Sequence, residues 1–348
     1  MLRKSLSFRK RRLTHLALLF CVGLSAHSLL ETPTLLTPHQ RQYIDFLSEN
    51  DAYVYPVDRY YTAGNRVGYA SKEYNFWGAA HHRSWIAWSR YLSLLYKSPK
   101  MTRFSISLTQ SIYTPSLKNH LITGVVPHDH LYAGWLRADL GVFQRSKHVL
   151  EKLDFSFGMV GPHAFAREIQ DWIHDMRGDA KFYGWAHQLR NEFIFEFTYQ
   201  YLYKLPLLTT RFFSIDMLPG ATITLGNAIT QFRLGSMLRM GYNLDADFGP
   251  NKINSNFSGG FPYSDKLSIY GFVGASGTYA PLDIFVQGNS PDTRNVTFLP
   301  PALFGIEGGI ALLYKGFRLA FVATNLSKTF RDQPLSHNIG TAEISLAF

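Results

Sequence analysis

The stretch Glu192-Phe193-Ile194-Phe195-Glu196-Phe197-Thr198-Tyr199-Gln200-Tyr201-Leu202-Tyr203 sets an aromatic ring at every second position. Glu192, Glu196, Thr198 and Gln200 fall on the other face, which is the period-two alternation of a β-strand. The same dyad recurs at Phe104, Ile106 and Leu108 against Arg103, Ser105, Ser107 and Thr109, and at Leu153, Phe155, Phe157 and Met159 against Asp154 and Ser156. Farther on, Phe232, Leu234, Leu238 and Met240 oppose Gln231, Arg233 and Arg239, and Phe304, Ile306, Ile310 and Leu312 oppose Glu307 and small residues. Strands of about ten residues with one apolar and one polar face suit a transmembrane β-barrel better than a soluble sandwich. Aromatic weight at strand ends, as in Tyr199–Tyr203 and Tyr132–Trp135, points the same way. So does the chain end, where Ile344, Leu346 and Phe348 alternate with Glu343, Ser345 and Ala347 as in the assembly signal of bacterial outer-membrane proteins. The expected fold is all-β, an antiparallel barrel of about twelve strands.

Residues 1–28 read as a signal peptide. Arg3, Lys4, Arg9, Lys10, Arg11 and Arg12 precede the apolar stretch Leu16–Ala26, and small residues offer a cleavage point near 26–28. Residues 29–348 are then the barrel domain. Without the leader's six basic residues the formal charge of +10 falls to +4, and no basic cluster interleaved with aromatics remains, which argues against a nucleic-acid partner. The sole cysteine, Cys21, lies in the leader, so the mature chain is expected to hold neither a disulfide nor a thiolate metal site. No later apolar run is long enough to cross a bilayer as a helix.

Strand parity orders the loops. If the chain enters from the periplasm, the strand near Tyr43–Glu49 runs outward and the one near Thr62–Ser71 returns, so Asn50, Asp51 and Asp58–Tyr61 lie outside the cell. Strands near Thr102–Ser111, Tyr132–Phe143 and Leu150–Val160 then put Tyr113–His130 and Gly161–Trp185 on the same side. Between Ala164 and Arg177 the period lengthens to that of a helix. Phe165, Ile169, Trp172, Ile173 and Met176 form one apolar stripe, with Gln170 and His174 one turn apart on the opposite side. Gly161-Pro162 and Gly178 are its start and stop signals.

Asn50-Asp51, Tyr61-Thr62-Ala63-Gly64, Ile112-Tyr113 with Pro115-Ser116, and Gly161-Pro162 through Gln170 and His174 to Gly178, followed by Trp185 and Gln188, resemble in order and spacing the lipid A 3′-O-deacylase family, LpxR. The resemblance implies a twelve-stranded outer-membrane barrel with its site between the wall and a loop helix, facing the extracellular side. It implies hydrolysis of the 3′-linked acyloxyacyl group of lipid A in lipopolysaccharide, with His174 as the base that activates water. Gln170, Asn50 and Thr62 match its other active-site positions, and Asp51 joins Asn50 and Thr62 as oxygen groups around a calcium ion. Some members carry a Glu two residues beyond the helix-ending glycine, where this chain has Ala180. Asp179 is the expected substitute in the metal shell, and Glu168 a second. Arg59 and Lys118 are candidates for lipid A phosphates, Tyr61 and Tyr113 for flanking an acyl chain.

Asn75–Lys100, with Trp77, His81, His82, Trp85, Trp88 and Tyr91, is an insertion placed by parity on the periplasmic side. It reads as an amphipathic cap on the membrane surface, with a plug or partner site as the alternative. A serine phospholipase of the outer membrane and a non-enzymatic porin or adhesin are the competing functions, and no Gly-x-Ser-x-Gly elbow supports the former. A monomer is expected.

Overall fold

The computed structural model describes residues 36–55, 58–76, 85–94, 99–253, 257–291, 293 and 302–348, with side chains from Trp88 onward in the third of these stretches. The expected leader lies outside the described residues, as do Trp77, His81, His82 and the side chain of Trp85 in the insertion. The strands are β1 (Tyr43–Asn50), β2 (Tyr60–Ala70), β3 (Tyr74–Asn75), β4 (Met101–Thr114), β5 (Ala133–Arg145), β6 (Val149–Val160) and β7 (Glu192–Tyr203). They continue as β8 (Leu205–Thr209), β9 (Ser214–Gly226), β10 (Ile229–Tyr242), β11 (Ser268–Asp283), β12 (Ala302–Tyr314), β13 (Phe317–Leu326) and β14 (His337–Ala347).

Twelve of these close into an antiparallel barrel. Each pairs with its neighbour in chain order, β10 bonds both β9 and β11, and β14 returns to β1 in the register Tyr43↔Ala347 to Asn50↔Gly340. The two-residue β3 and five-residue β8 are short additions, on β4 and β9. Closure leaves none of the twelve barrel strands with a free edge, which a bilayer requires because it offers backbone groups no hydrogen bonds.

The alternation sorts the two faces as the sequence predicts. Ile44, Phe46, Ile106, Leu108, Phe155, Phe195, Phe304, Ile306 and Ile310 are exposed on the outer wall, while Asp45, Glu49, Glu196, Arg239, Arg318 and Glu343 are buried within. One aromatic pair departs from expectation. Tyr132 and Trp135 are buried, the first against Trp185 and the second beneath Arg137 and Phe285, so they form no part of an interfacial girdle.

The lumen is filled by the connection between β10 and β11. Phe248, Phe257 and Phe261 from it join Phe143, Leu202, Met237 and Tyr270 in an apolar cluster inside the barrel. Its polar groups are matched to the wall. Asn251 N–H and Nδ2 donate to Glu343 at 2.9 and 3.0 Å, Lys252 Nζ pairs with Glu307 at 2.7 Å, and Ile253 N–H donates to Glu49 at 2.7 Å. Gln200 exchanges two bonds with the Ser258 backbone, and Arg103 and Arg318 donate to the carbonyls of Pro262 and Gly260. A segment tied to the wall by this many buried polar contacts has little tendency to leave. The purified protein in a planar bilayer is therefore expected to give no stepwise conductance; porin-like openings would show that this segment vacates the lumen.

Candidate active site

The loop between β6 and β7 opens with a 3-10 turn, Pro162–Ala164, and continues as a helix over Ala166–Arg177. Gly178, at φ +72°, takes the left-handed C-cap conformation that ends it. The helix start lies on the outer side of the barrel wall at the ends of β4 and β5. Gln110 Nε2 donates to the Ala164 carbonyl at 2.7 Å, and Ala166 packs in a cluster with Ile112, Tyr132, Phe182 and Trp185. Gly134 on β5 permits this approach, since a Cβ there would lie 2.5 Å from that of Ala166 and 3.0 Å from that of Ala164. Gly134→Leu should displace the helix and lower activity by about 10²-fold, the scale of an ångström misplacement at a reacting centre. Unchanged turnover by a protein that still shows heat-modifiable mobility would mean the helix position does not matter.

The orientation of the helix is inverted relative to that of a helix on a soluble protein. Phe165, Trp172 and Met176 of the apolar stripe are exposed, whereas Gln170 and His174 are buried against the wall. Gln170 Oε1 accepts a bond from Trp185 Nε1 at 3.0 Å, leaving its buried Nε2 without a partner. His174 Nδ1 lies 2.6 Å from the Ala180 carbonyl, which can only accept, so Nδ1 carries a proton and Nε2 of the neutral ring holds a lone pair. That Nε2 is 3.5 Å from Asp58 Oδ2.

The residues facing His174 come from the turn after β1. Asn50 Oδ1 accepts from Ala52 N–H at 2.7 Å and caps a 3-10 turn, Asp51–Tyr53, whose first residue is fully buried. Asp51 Oδ2 accepts from Arg59 N–H at 2.7 Å, while Oδ1 is buried without a partner. Burial, reinforced by the nearby Asp58 carboxylate, pushes Asp51 up to about 9. Burial also raises Asp58, a shift that positive charge on His174 opposes when the ring is protonated. Thr62 occupies a β-bulge between the pairs Tyr61↔Tyr113 and Ala63↔Ile112. The extra residue lets Tyr61 reach Glu49 while Thr62 meets Thr114 Oγ1 at 2.6 Å and Ala63 packs beside Ile112.

A model of the family described as outer membrane protein LpxR matches residues 13–348. This chain belongs to the LpxR family. Among solved structures, LpxR from Salmonella typhimurium is similar with a TM-score of 0.71 and 17% identity, over 88% of this chain and 100% of that one. The β domain of the Bordetella autotransporter BrkA follows at a TM-score of 0.43 and 8% identity, over 88% of this chain and 99% of that one. No curated protein matches the sequence. Membership in the LpxR family makes this an outer-membrane protein of a hydrolase family that acts on lipid A.

The structure brings together Asp51, Asp58, Gln170 and His174, with Asn50 and Thr62 on the flanking wall. Asp58 is the residue that sequence reasoning quoted but assigned no role. Its signal lies in the fold-back of the β1–β2 loop, where its backbone carbonyl accepts from Leu117 N–H at 2.8 Å. The position of Ala180 contributes through its main chain, as the acceptor for His174. Asp179 is half exposed and paired with Arg177 at 2.8 Å, although its charge reaches Asp58. Arg59 touches the site through its N–H and sends its guanidinium to the Ser336 carbonyl. Lys118 is exposed on the neighbouring loop. Tyr61 and Tyr113 turn into the lumen, where Tyr113 stacks on Phe285 with centroids 4.2 Å apart, so neither lies beside the exposed stripe of the helix.

Among the described residues no three His, Cys, Asp or Glu side chains converge as a metal cluster. Even so, the donor set fits a hard cation. Asp51 presents a buried, unpartnered carboxylate oxygen with a second carboxylate close by, and Asn50 and Thr62 on the adjoining ends of β1 and β2 carry neutral oxygens, now bonded to Ala52 N–H and Thr114.

Proposed function

We propose that this protein is an ester hydrolase that removes the 3′-linked acyloxyacyl group from lipid A at the outer surface of the outer membrane. The observation that carries the reading is the buried His174, held by the Ala180 carbonyl in the tautomer whose free nitrogen faces Asp58. A base in that state takes a proton from water as it attacks an ester carbonyl, and no covalent nucleophile is needed. The Ala180 carbonyl then stabilises the imidazolium, which returns its proton to the departing sugar oxygen. Asp58 orients the attacking water, and Gln170, fixed by Trp185, offers its unpartnered amide N–H groups to the substrate.

Asp51, with Asn50, Thr62 and Asp58, would hold a calcium ion; Asp179 is a further candidate once released from Arg177. Bound there, calcium would supply polarisation of the ester carbonyl and charge stabilisation of the oxyanion. The exposed Phe165, Trp172 and Met176 give the acyl chains an apolar surface beside the groove. That surface replaces Tyr61 and Tyr113 in the proposal, because both rings face inward. Arg59 and Lys118 are the proposed partners of lipid A phosphates, Arg59 once its guanidinium leaves the Ser336 carbonyl. Mass spectrometry of lipid A from a host producing this protein should show loss of the 3′ acyloxyacyl mass. Unchanged acylation with folded protein in the outer membrane would remove the proposal.

A further inference from the structure

At the end of the barrel away from the candidate site, the outer wall carries a polar row where apolar side chains are the rule. Thr102, Gln144, Glu151 and Tyr201 sit side by side across β4, β5, β6 and β7 in ladder register. The next rows toward the active-site end contain Phe104, Ile106 and Leu108 on β4 with Leu153, Phe155 and Phe157 on β6, all outward and apolar. A carboxylate beside acyl chains is costly unless something covers it.

The described part of the insertion is that cover. Its 3-10 helix, Trp85–Leu92, lies on the outside of the wall and not in the lumen. Gln144 Nε2 donates to the Ser89 carbonyl. Glu151 accepts from Lys100, Ser93 Oγ, Tyr199 Oη and, at 3.1 Å, Leu94 N–H. Thr102, Gln144 and Glu151 are thereby buried, as are Ser89 and Ser93 above them.

The far side of this cover is unlike a water-facing surface. Three residues per turn bring side chains at every third position into line in a 3-10 helix. Trp88 and Tyr91 occupy such positions, Leu94 keeps the spacing just past the helix end, and the three are 55%, 69% and 54% exposed. The face continues the apolar wall at its polar boundary, the level at which Trp and Tyr rings settle between headgroups and acyl chains. Between Glu73 and Asp129 the sequence has no acidic residue, while Arg83, Arg90 and Lys97 fall within the insertion in addition to Lys100, whose charge is taken by Glu151. A basic, aromatic, amphipathic element of this kind suits phospholipid and disfavours a basic or strongly hydrated protein partner.

We infer that the Trp85–Leu94 segment is a phospholipid-binding foot, lying in the membrane interface of the leaflet opposite the candidate active site. It stands on β4, β5 and β6, and the loop helix packs at the other ends of β4 and β5. One side of the barrel is thus held at both membrane surfaces, fixing the tilt with which the groove meets the lipid.

The test is spin labelling of the full chain in a Cys21→Ser background, with single cysteines at Trp88, Tyr91 and Leu94. Each labelled protein is reconstituted into phosphatidylethanolamine–phosphatidylglycerol vesicles and probed by power saturation with oxygen and a water-soluble nickel chelate. All three labels should favour oxygen over nickel by severalfold relative to a label at Lys118, approaching one at Phe155. Nickel access equal to that at Lys118 would place the face in water and overturn the inference. Protection from both reagents would show a protein contact instead, with the same consequence. Because all three sites are exposed, a folding defect at one leaves the other two decisive.

Discussion

Replacing His174 with glutamine should abolish release of the 3′ acyl group while leaving the barrel folded. General-base catalysis contributes about 10²–10⁴-fold, and here the same nitrogen both accepts the proton from water and returns it to the leaving oxygen. A glutamine side chain can donate to the Ala180 carbonyl, as His174 Nδ1 does at 2.6 Å, so the loop behind the helix keeps its tie. What disappears is the basic nitrogen 3.5 Å from Asp58. Lipid A mass spectrometry, paired with heat-modifiable mobility on a gel, separates chemistry from folding. Full deacylation by His174→Gln would eliminate this residue as the base and move attention to Asp58.

The second large effect is expected at Asp51, and its sign differs between activity and stability. Asp51→Asn should cost activity by at least about 10²-fold, the scale for losing one oxyanion-stabilising partner. In the absence of a cation the same change should stabilise the fold above neutral pH. The sign follows from the raised carboxyl at about 9. Below its unfolded value of about 4, Asp51 is protonated in both states and costs nothing. As pH rises toward 9 the unfolded chain releases its proton first, so the folded state loses stability progressively, and the penalty is complete above that value. A bound cation compensates the charge and displaces the proton, so calcium should stabilise the wild type more at pH 9 than at pH 6. Thermal unfolding with calcium or chelator at both pH values checks this, with Asp51→Asn expected to show no calcium shift. A variant that still gains stability from calcium would take Asp51 out of the cation site.

The wall was legible from sequence because a membrane strand repeats one physical demand at every second residue. Phe193 to Tyr203 could hardly be read otherwise, and loop order followed by counting strands. The loop helix was half legible. Its period separates Gln170 and His174 from the apolar stripe, but periodicity is silent on which side faces the protein, and here the exposed side is the apolar one. The bulge at Thr62 left no sequence signal, since it depends on the register of β2 against β4. The lumen segment was missed for a related reason. Gly249-Pro250 and Gly259-Gly260 carry no periodic pattern, and the burial of this segment is set by Arg318, Arg103 and Glu343 from distant strands. Asp58 was visible only as text, because its meaning comes from the 3.5 Å separation that the loop creates.

That lumen segment also ties the seam of the barrel from within. Ile253 is held by Glu49 of β1 and Asn251 by Glu343 of β14, the two strands whose pairing closes the ring. Thr341 on β14 donates to the same Glu49, at 3.0 Å, so the two edges and their contents share one hydrogen-bond network. Arg318 and Tyr61 of the wall complete the two carboxylates, so the closing strands are joined through the barrel's contents as well as through their own ladder.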